Sequence, residues 1–219
     1  MKLSKRLSAI KEMVPQGSVI ADVGSDHGKL LISLSQDKII LKGYGIENKK
    51  APFNRLSKAI SDEGLLEVAP LFSDGISELP SDVNTVVIAG MGGFLIVDIL
   101  KSHSENLKNV KTIIVDAHNS VDKVREAIVS LGYFIKDEKM ILEDDIYYEI
   151  IRFDIGRGEL LDELDISFGP ILRKEKSPMF IQKYKNEIFE LNNLLSIDNL
   201  PENRRNELEA QKERLEALL

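Results

Sequence analysis

The 219-residue chain contains no cysteine. That excludes a disulfide framework, a thiolate nucleophile and a zinc site built on sulfur ligands. It also lacks any apolar run near the roughly 18–20 residues that a bilayer-spanning helix requires, so no membrane partner is expected. The opening stretch Met1-Lys2-Leu3-Ser4-Lys5-Arg6-Leu7 is basic, but Lys11 and Glu12 follow where a secretory signal would carry an apolar core. Positive charge is in deficit: 29 Lys and Arg stand against 36 Asp and Glu, a formal net charge of −7. Phosphate binding is driven by Lys and Arg, so this balance argues weakly against nucleic acid while leaving room for a local basic patch. What remains, 43% hydrophobic and 30% charged residues, is the balance of a soluble globular protein, in a chain long enough for one domain and an appendage. A cytoplasmic, cofactor-dependent protein is the expectation.

The stretch that organises the chain is Val19-Ile20-Ala21-Asp22-Val23-Gly24-Ser25-Asp26-His27-Gly28. Its β-branched start reads as a buried strand, its glycines as a loop, and Leu30, Leu31 and Leu34 as the helix that follows. Strand, glycine loop and helix open a nucleotide-binding α/β unit. The glycine spacing is not that of a dinucleotide fingerprint, because Asp26 stands where its second glycine would be. The pattern acidic-x-Gly-x-x-x-Gly instead resembles the first motif of S-adenosyl-L-methionine-dependent methyltransferases. The cationic methionine end of that ligand suits a carboxylate at Asp22. Cofactor candidates in this loop are Asp22, Gly24, Ser25, His27 and Gly28, with a packing role as the alternative for His27.

Before this unit, Leu3, Leu7, Ile10 and Met13 fall at helical spacing over residues 2–14, with Lys2, Lys5 and Arg6 on a basic face suited to phosphate contacts. After it, a second strand over 39–47 ends in Glu47, about 23 positions beyond Gly24. That offset suits a carboxylate gripping ribose hydroxyls. A helix over 49–62 and a strand over 66–72 lead to Ser73-Asp74-Gly75. In a fold of this kind the loop lies against the cofactor's adenine, where Asp74 accepts from the exocyclic amine. The fourth strand, 84–89, runs into Ala89-Gly90-Met91-Gly92-Gly93. A tight turn needs one or two glycines, so three of them at a strand's carboxyl end mark a place where ligands approach the backbone. A helix over 93–103 and a fifth strand over 111–115 follow, the latter ending in Asp116-Ala117-His118-Asn119. A helix over 121–131 then precedes a hairpin of strands 133–142 and 146–153. The expected fold is α/β, a Rossmann-like, mostly parallel seven-stranded sheet with an antiparallel edge hairpin, over residues 1–158.

Residues 159–219 differ in character. A connector over 160–172 leads into apolar positions at helical spacing over 174–195, and these resume after Asn199-Leu200-Pro201. The pattern predicts a C-terminal α-helical hairpin, coiled-coil-like, serving as a dimerisation arm or as an arm that embraces a large substrate. A monomer or a weak homodimer through this hairpin is expected. Its basic cluster Arg173, Lys174 and Lys176 is the part suited to face phosphate.

Taken together, Lys2-Leu-Ser-Lys-Arg-Leu7, Ala21-Asp-Val-Gly-Ser-Asp-His27, Ala89-Gly-Met-Gly-Gly93, Tyr148-Glu149 and Phe168-Gly-Pro170 with Lys174-Glu-Lys176 resemble the bacterial tRNA (adenine(22)-N1)-methyltransferases over almost the whole chain. The resemblance implies a class I methyltransferase that transfers a methyl group from S-adenosyl-L-methionine to N1 of an adenine in the tRNA D-arm. Two departures stand out. Gly28-Lys29-Leu30-Leu31 replaces the family's usual Ala-Tyr-Leu-Pro, and Val115-Asp116-Ala117-His118 replaces its Leu-Gln-Pro-Asn where the target base enters. Methylation of N1 yields a cation, so a carboxylate beside the base would stabilise the developing charge. Asp26 is the first choice for that carboxylate and Asp116 the second, with His118 bonding to or stacking on the base. The alternatives are a class I methyltransferase acting on a protein or small molecule, and a non-catalytic protein that binds the cofactor or tRNA.

Overall fold

The computed structural model describes residues 3–219. Seven strands form one sheet: β1 (Ser18–Val23), β2 (Ile40–Glu47), β3 (Val68–Phe72), β4 (Thr85–Met91), β5 (Thr112–Ala117), β6 (Tyr133–Glu143) and β7 (Ile146–Ile155). Their order is β3-β2-β1-β4-β5-β7-β6. The first five pair in parallel, and β7 runs antiparallel to both β5 and β6. Strand order reverses between β1 and β4, which opens a crevice beyond their carboxyl ends.

Alternation along the central strands supplies both faces of the sheet. Ala21, Val23, Val86, Ile88, Ile113 and Val115 pack with α4 (Gly93–Ser102) and α5 (Val121–Ser130) through Ile96, Leu100, Val124 and Ile128. Ile20, Val87 and Ile114 face the other way, against α1 (Lys5–Met13), α2 (Lys29–Gln36) and α3 (Lys50–Asp62). The Ser4 hydroxyl accepts from Leu7 N at 3.2 Å and so starts α1 at a fixed place. β4 and β5 each run about two residues further than the hydrophobic pattern indicated, which carries Gly90-Met91 and Asp116-Ala117 into the strand ends.

The expected connector over 160–172 is instead two short helices, α6 (Glu163–Phe168) and α7 (Pro170–Glu175). Asp162 and Asp165 form a reciprocal capping box that nucleates α6. Lys176, at φ +44°, ends α7, and Ser177 then caps α8 (Pro178–Leu195), so that helix begins four residues later than the apolar pattern suggested. α9 (Glu202–Glu216) returns alongside it, and Lys176 Nζ reaches Leu219 O at 3.2 Å. Phe180, Tyr184, Leu191, Leu208, Leu215 and Leu218 form their common core with Phe168, Leu172 and Met140 of β6.

A buried charge set ties this region to the sheet. Arg125 on α5 has no exposed surface; its Nε donates to Glu138 Oε1 at 2.9 Å and its Nη2 to Glu149 Oε2 at 2.7 Å. Lys183 of α8 donates to Glu149 Oε1 at 2.7 Å, and Ile171 N to Glu138 Oε2 at 2.9 Å. Gly169, at φ +83°, passes directly over this set: a Cβ there would lie 2.5 Å from Glu138 Oε1 and 2.8 Å from Arg125 Nη2. The Phe168-Gly169-Pro170 motif is therefore a packing requirement. No helix among the described residues is long and apolar enough to cross a membrane.

Candidate active site

A cavity of about 570 Å³ opens at the carboxyl ends of β1, β2 and β4, a volume suited to a small organic ligand. Its walls are the β1–α2 loop with Gly24 and Asp26, Glu47-Asn48-Lys49 after β2, Ser73-Asp74-Gly75 after β3, Met91, and one face of α4. Gly24 has φ +75°, and a Cβ on it would collide with Met91 Cε. A Cβ on Gly75, at φ +55°, would lie 2.9 Å from Ile99 Cγ2. At both positions the positive φ favours glycine, and at Gly75 the close approach of Ile99 adds to it.

Two acids stand side by side at this end of the sheet. Asp22 is 6% exposed and Glu47 8%. Burial first, then the charge of Glu47, pushes the pKa of Asp22 up to about 7. Glu47 Oε1 accepts from Asp26 N at 2.5 Å, which fixes the glycine loop against β2. Asn48 Nδ2 donates to Asp74 Oδ1 at 2.7 Å, which orients the loop after β3. Asp26 itself has φ +44°, and its half-exposed carboxylate is held by Arg55 of α3 at 2.6 Å, with His27 Nε2 at 3.4 Å. His27 is exposed, so it is not a core histidine.

On the far side of the Gly90-Met91-Gly92 loop lies a second cluster. Asp116, without exposed surface, accepts from Arg6 Nη1 at 2.7 Å. The Arg6 guanidinium carbon sits 5.1 Å from the centre of the Tyr148 ring, and that ring meets His118 edge-on at 6.2 Å. Gly90, at φ +75°, faces them: a Cβ there would lie 3.3 Å from Arg6 Nη1 and 3.8 Å from His118 Nε2. Asn119 Oδ1 accepts from Gly93 N at 3.1 Å and so caps the start of α4. Burial drives the pKa of Asp116 up, against the opposing pull of Arg6, His118 and the Gly90 N–H.

Of the cofactor candidates, Gly24, Glu47, Asp74, Gly75 and Met91 line the crevice, as does Asp26; Asp22 is buried at the end of β1, Gly28 packs against Leu56 and Ile32, and Ser25, His27, Ala89, Gly90 and Gly92 are not part of its lining. The structure joins Arg6, Asp116 and His118 on the other side of the Gly90-Met91-Gly92 loop. Asp26 stands apart from them, on the cavity side with Arg55. Lys5 is exposed, with its N–H donating to Glu143. Arg173 is engaged by Asp162 at 2.9 Å and by Asp165, whereas Lys174 and Lys176 are both exposed, Lys176 Nζ donating to Leu219 O at 3.2 Å. Lys2 lies outside the described residues. Sequence reasoning missed Arg55 and Asn48, which carry no local motif, and gave Tyr148 no role although its hairpin was recognised.

Residues 3–151 match the family described as a methyltransferase domain. A Bacillus subtilis (strain 168) tRNA (adenine(22)-N(1))-methyltransferase is 30% identical over 195 residues, covering 86% of this chain and 82% of the relative. The chain belongs to the tRNA (adenine(22)-N1)-methyltransferase family. Among solved members of that family, the B. subtilis enzyme TrmK is 27% identical with a TM-score of 0.87, covering 99% of this chain and 98% of that one. M. capricolum TrmK in complex with S-adenosyl-homocysteine is 28% identical, with a TM-score of 0.88 over 99% and 97% of the two chains. The family's match thus spans the sheet, the crevice and the C-terminal helices alike.

Proposed function

We propose that this protein methylates N1 of adenine 22 in the D-arm of tRNA, with S-adenosyl-L-methionine as the donor. The observation that carries this reading, beside family membership, is that one glycine-rich loop separates two differently equipped half-sites. Met91 lines the acidic cavity on one side, and Gly90 faces Arg6 and His118 on the other.

The residues present fit the donor. Asp22 offers a buried carboxylate to an ammonium, Glu47 a carboxylate to a ribose diol, and Asp74 an acceptor beside an adenine. Gly24 and Gly75 let the backbone of the two loops pack against Met91 and Ile99 at the cavity wall. When bound, S-adenosylmethionine supplies a methyl group on a sulfonium, already activated for transfer. The protein's part is then positioning, which is the largest contribution available where no strong base is needed. Adenine N1 has a free lone pair at neutral pH once its base is drawn from the stack. Arg6, Tyr148 and His118 form the wall against which the base rests, and the Asp116 carboxylate supplies the counter-charge as the ring becomes cationic. Asp26, paired with Arg55, holds the cofactor loop in shape and leaves the counter-charge to Asp116. Lys5, Lys174 and Lys176 are exposed cations that would meet tRNA phosphates, with residues 159–219 a helical unit beside a catalytic unit of residues 1–158.

The test is transfer of labelled methyl to unmodified tRNA, with the modified nucleoside identified by mass spectrometry. Label in N1-methyladenosine that vanishes when adenine 22 is replaced is the expected result. Label in another nucleoside, or in protein, would overturn the substrate assignment. Absence of any transfer despite cofactor binding would overturn the activity.

A further inference from the structure

Only two buried side-chain polar atoms among the described residues lack a hydrogen-bond partner, and one of them is Asp116 Oδ1. Buried polar groups are almost always paired, so each exception asks for a reason. Here the sister oxygen is bonded to Arg6 Nη1 at 2.7 Å, and the side chain has no exposed surface. The carboxylate is thus anchored by one oxygen, while the other has no donor at full hydrogen-bond geometry, the Gly90 N–H being the backbone donor that draws on the group. Its place in the fold is specific. Asp116 pairs in register with Ala89, the residue just before the Gly90-Met91-Gly92 loop. Gly90, Arg6 and His118 converge at one point beside it.

We propose that Asp116 Oδ1 accepts a hydrogen bond from the exocyclic 6-amine of the target adenine, and so sets base specificity for the methylation proposed above. This rests on that reading of the site. The chemistry follows from the edges of the bases. Adenine carries an amine donor next to its ring nitrogen N1, whereas guanine carries the O6 acceptor and uracil an oxygen at the equivalent position. A carboxylate oxygen rewards the first and repels the others. Arg6 is 24% exposed and is the outer member of the pair, so it is the side chain that shifts to admit the base. The incoming amine then supplies the donor that Oδ1 lacks.

The experiment compares wild-type protein and Asp116→Asn on tRNA carrying either adenine or purine at the target position. Purine lacks the amine and has a less basic N1, a loss common to both proteins that cancels in the ratio of ratios. In the Asn variant the amide oxygen stays with Arg6 and the amide N–H₂ faces the base, a donor opposed to a donor. A charge-assisted bond to the amine predicts that the adenine-over-purine preference of wild type exceeds that of the variant by tenfold to a hundredfold in kcat/KM. A ratio of ratios near one would overturn the inference while leaving the methyltransferase standing. No transfer by wild type to adenine-containing tRNA would sink the function and this inference together. Cofactor affinity and melting temperature report whether the variant is folded. If Asp116→Asn melts early, Asp116→Ser, which leaves Arg6 room to reach solvent, repeats the comparison with the same two outcomes.

Discussion

Two sets of buried charges sit about the same sheet and behave in opposite ways. Asp22 and Glu47 are neighbouring acids, and Asp22 meets this with a pKa pushed up to about 7 by burial and by Glu47. Arg125, Glu138, Glu149 and Lys183 are opposite charges, closed on one another and on backbone groups of α6 and α7. Removing one member of such a closed set strands its partners, so the set is structural. Like charges held together without a cation are the arrangement on which the proposed binding of a cationic ligand rests. The difference separates scaffold from site more clearly than burial does, since both sets are buried.

The largest effect should come from breaking the closed set. Arg125→Ala leaves Glu138 buried with only the Ile171 and Leu172 N–H donors and Glu149 with Lys183 alone, and should cost about 3–5 kcal/mol. Differential scanning calorimetry would then show a fall of roughly 6–20 °C. Gly169→Ala drives a Cβ into the same carboxylate–guanidinium contact at positive φ, and a loss of about 2–3 kcal/mol in denaturant titration is expected. Neither change touches the cofactor crevice, so protein that remains folded should bind the cofactor normally.

Asp22→Asn should act in reverse. Cofactor affinity falls by roughly ten- to a hundredfold in calorimetric titration, as expected for losing a charged hydrogen-bond partner, while the ligand-free protein becomes more stable at neutral pH. The sign follows from linkage. With a folded pKa near 7 against 3.8 for the free side chain, the folded state holds a proton that the unfolded state has released. Stability is therefore lost as pH rises from about 4 to 7, and an amide at this position abolishes that loss. The same proton opposes a cationic ligand, so wild-type affinity for S-adenosylmethionine should rise roughly eightfold between pH 6 and pH 7.5, with proton release that varies with buffer ionisation enthalpy. A flat profile would mean that Asp22 is already ionised and the comparison with the closed set fails. The smallest effect is expected at the surface. Lys174→Ala should weaken tRNA binding a few-fold and reduce the slope of log K against log salt by about one.

Much of the acidic crevice was legible because its signals are local. Asp22, the glycines after it, Glu47 and the Gly90-Met91-Gly92 run each lie at the end of a strand that its own apolar residues define. Parallel order then carries them all to one edge of the sheet. The cluster of Arg6, Asp116 and His118 was legible only in part. Arg6, Asp116 and His118 were candidates for separate reasons, but only the pairing of α1 with the end of β5 makes them one cluster. Asp26 illustrates the opposite outcome. Its place in the loop made it attractive as the counter-charge, yet Arg55, 29 positions on, claims its carboxylate. The stretch 160–172 read as a connector because its helices are short and their apolar residues few. What holds them is contact with Glu138 and Arg125, which no periodicity within the stretch records.

By itself, then, the sequence determined the alternation of strands and helices, the glycine positions and the acids at strand ends, because each depends on neighbours a few residues away. The tertiary structure alone decided which charges are paired and which are left open. That choice separates the Arg125 set from Asp22 and Asp116 Oδ1, and it depends on side chains brought within about 3 Å of one another from opposite ends of the chain.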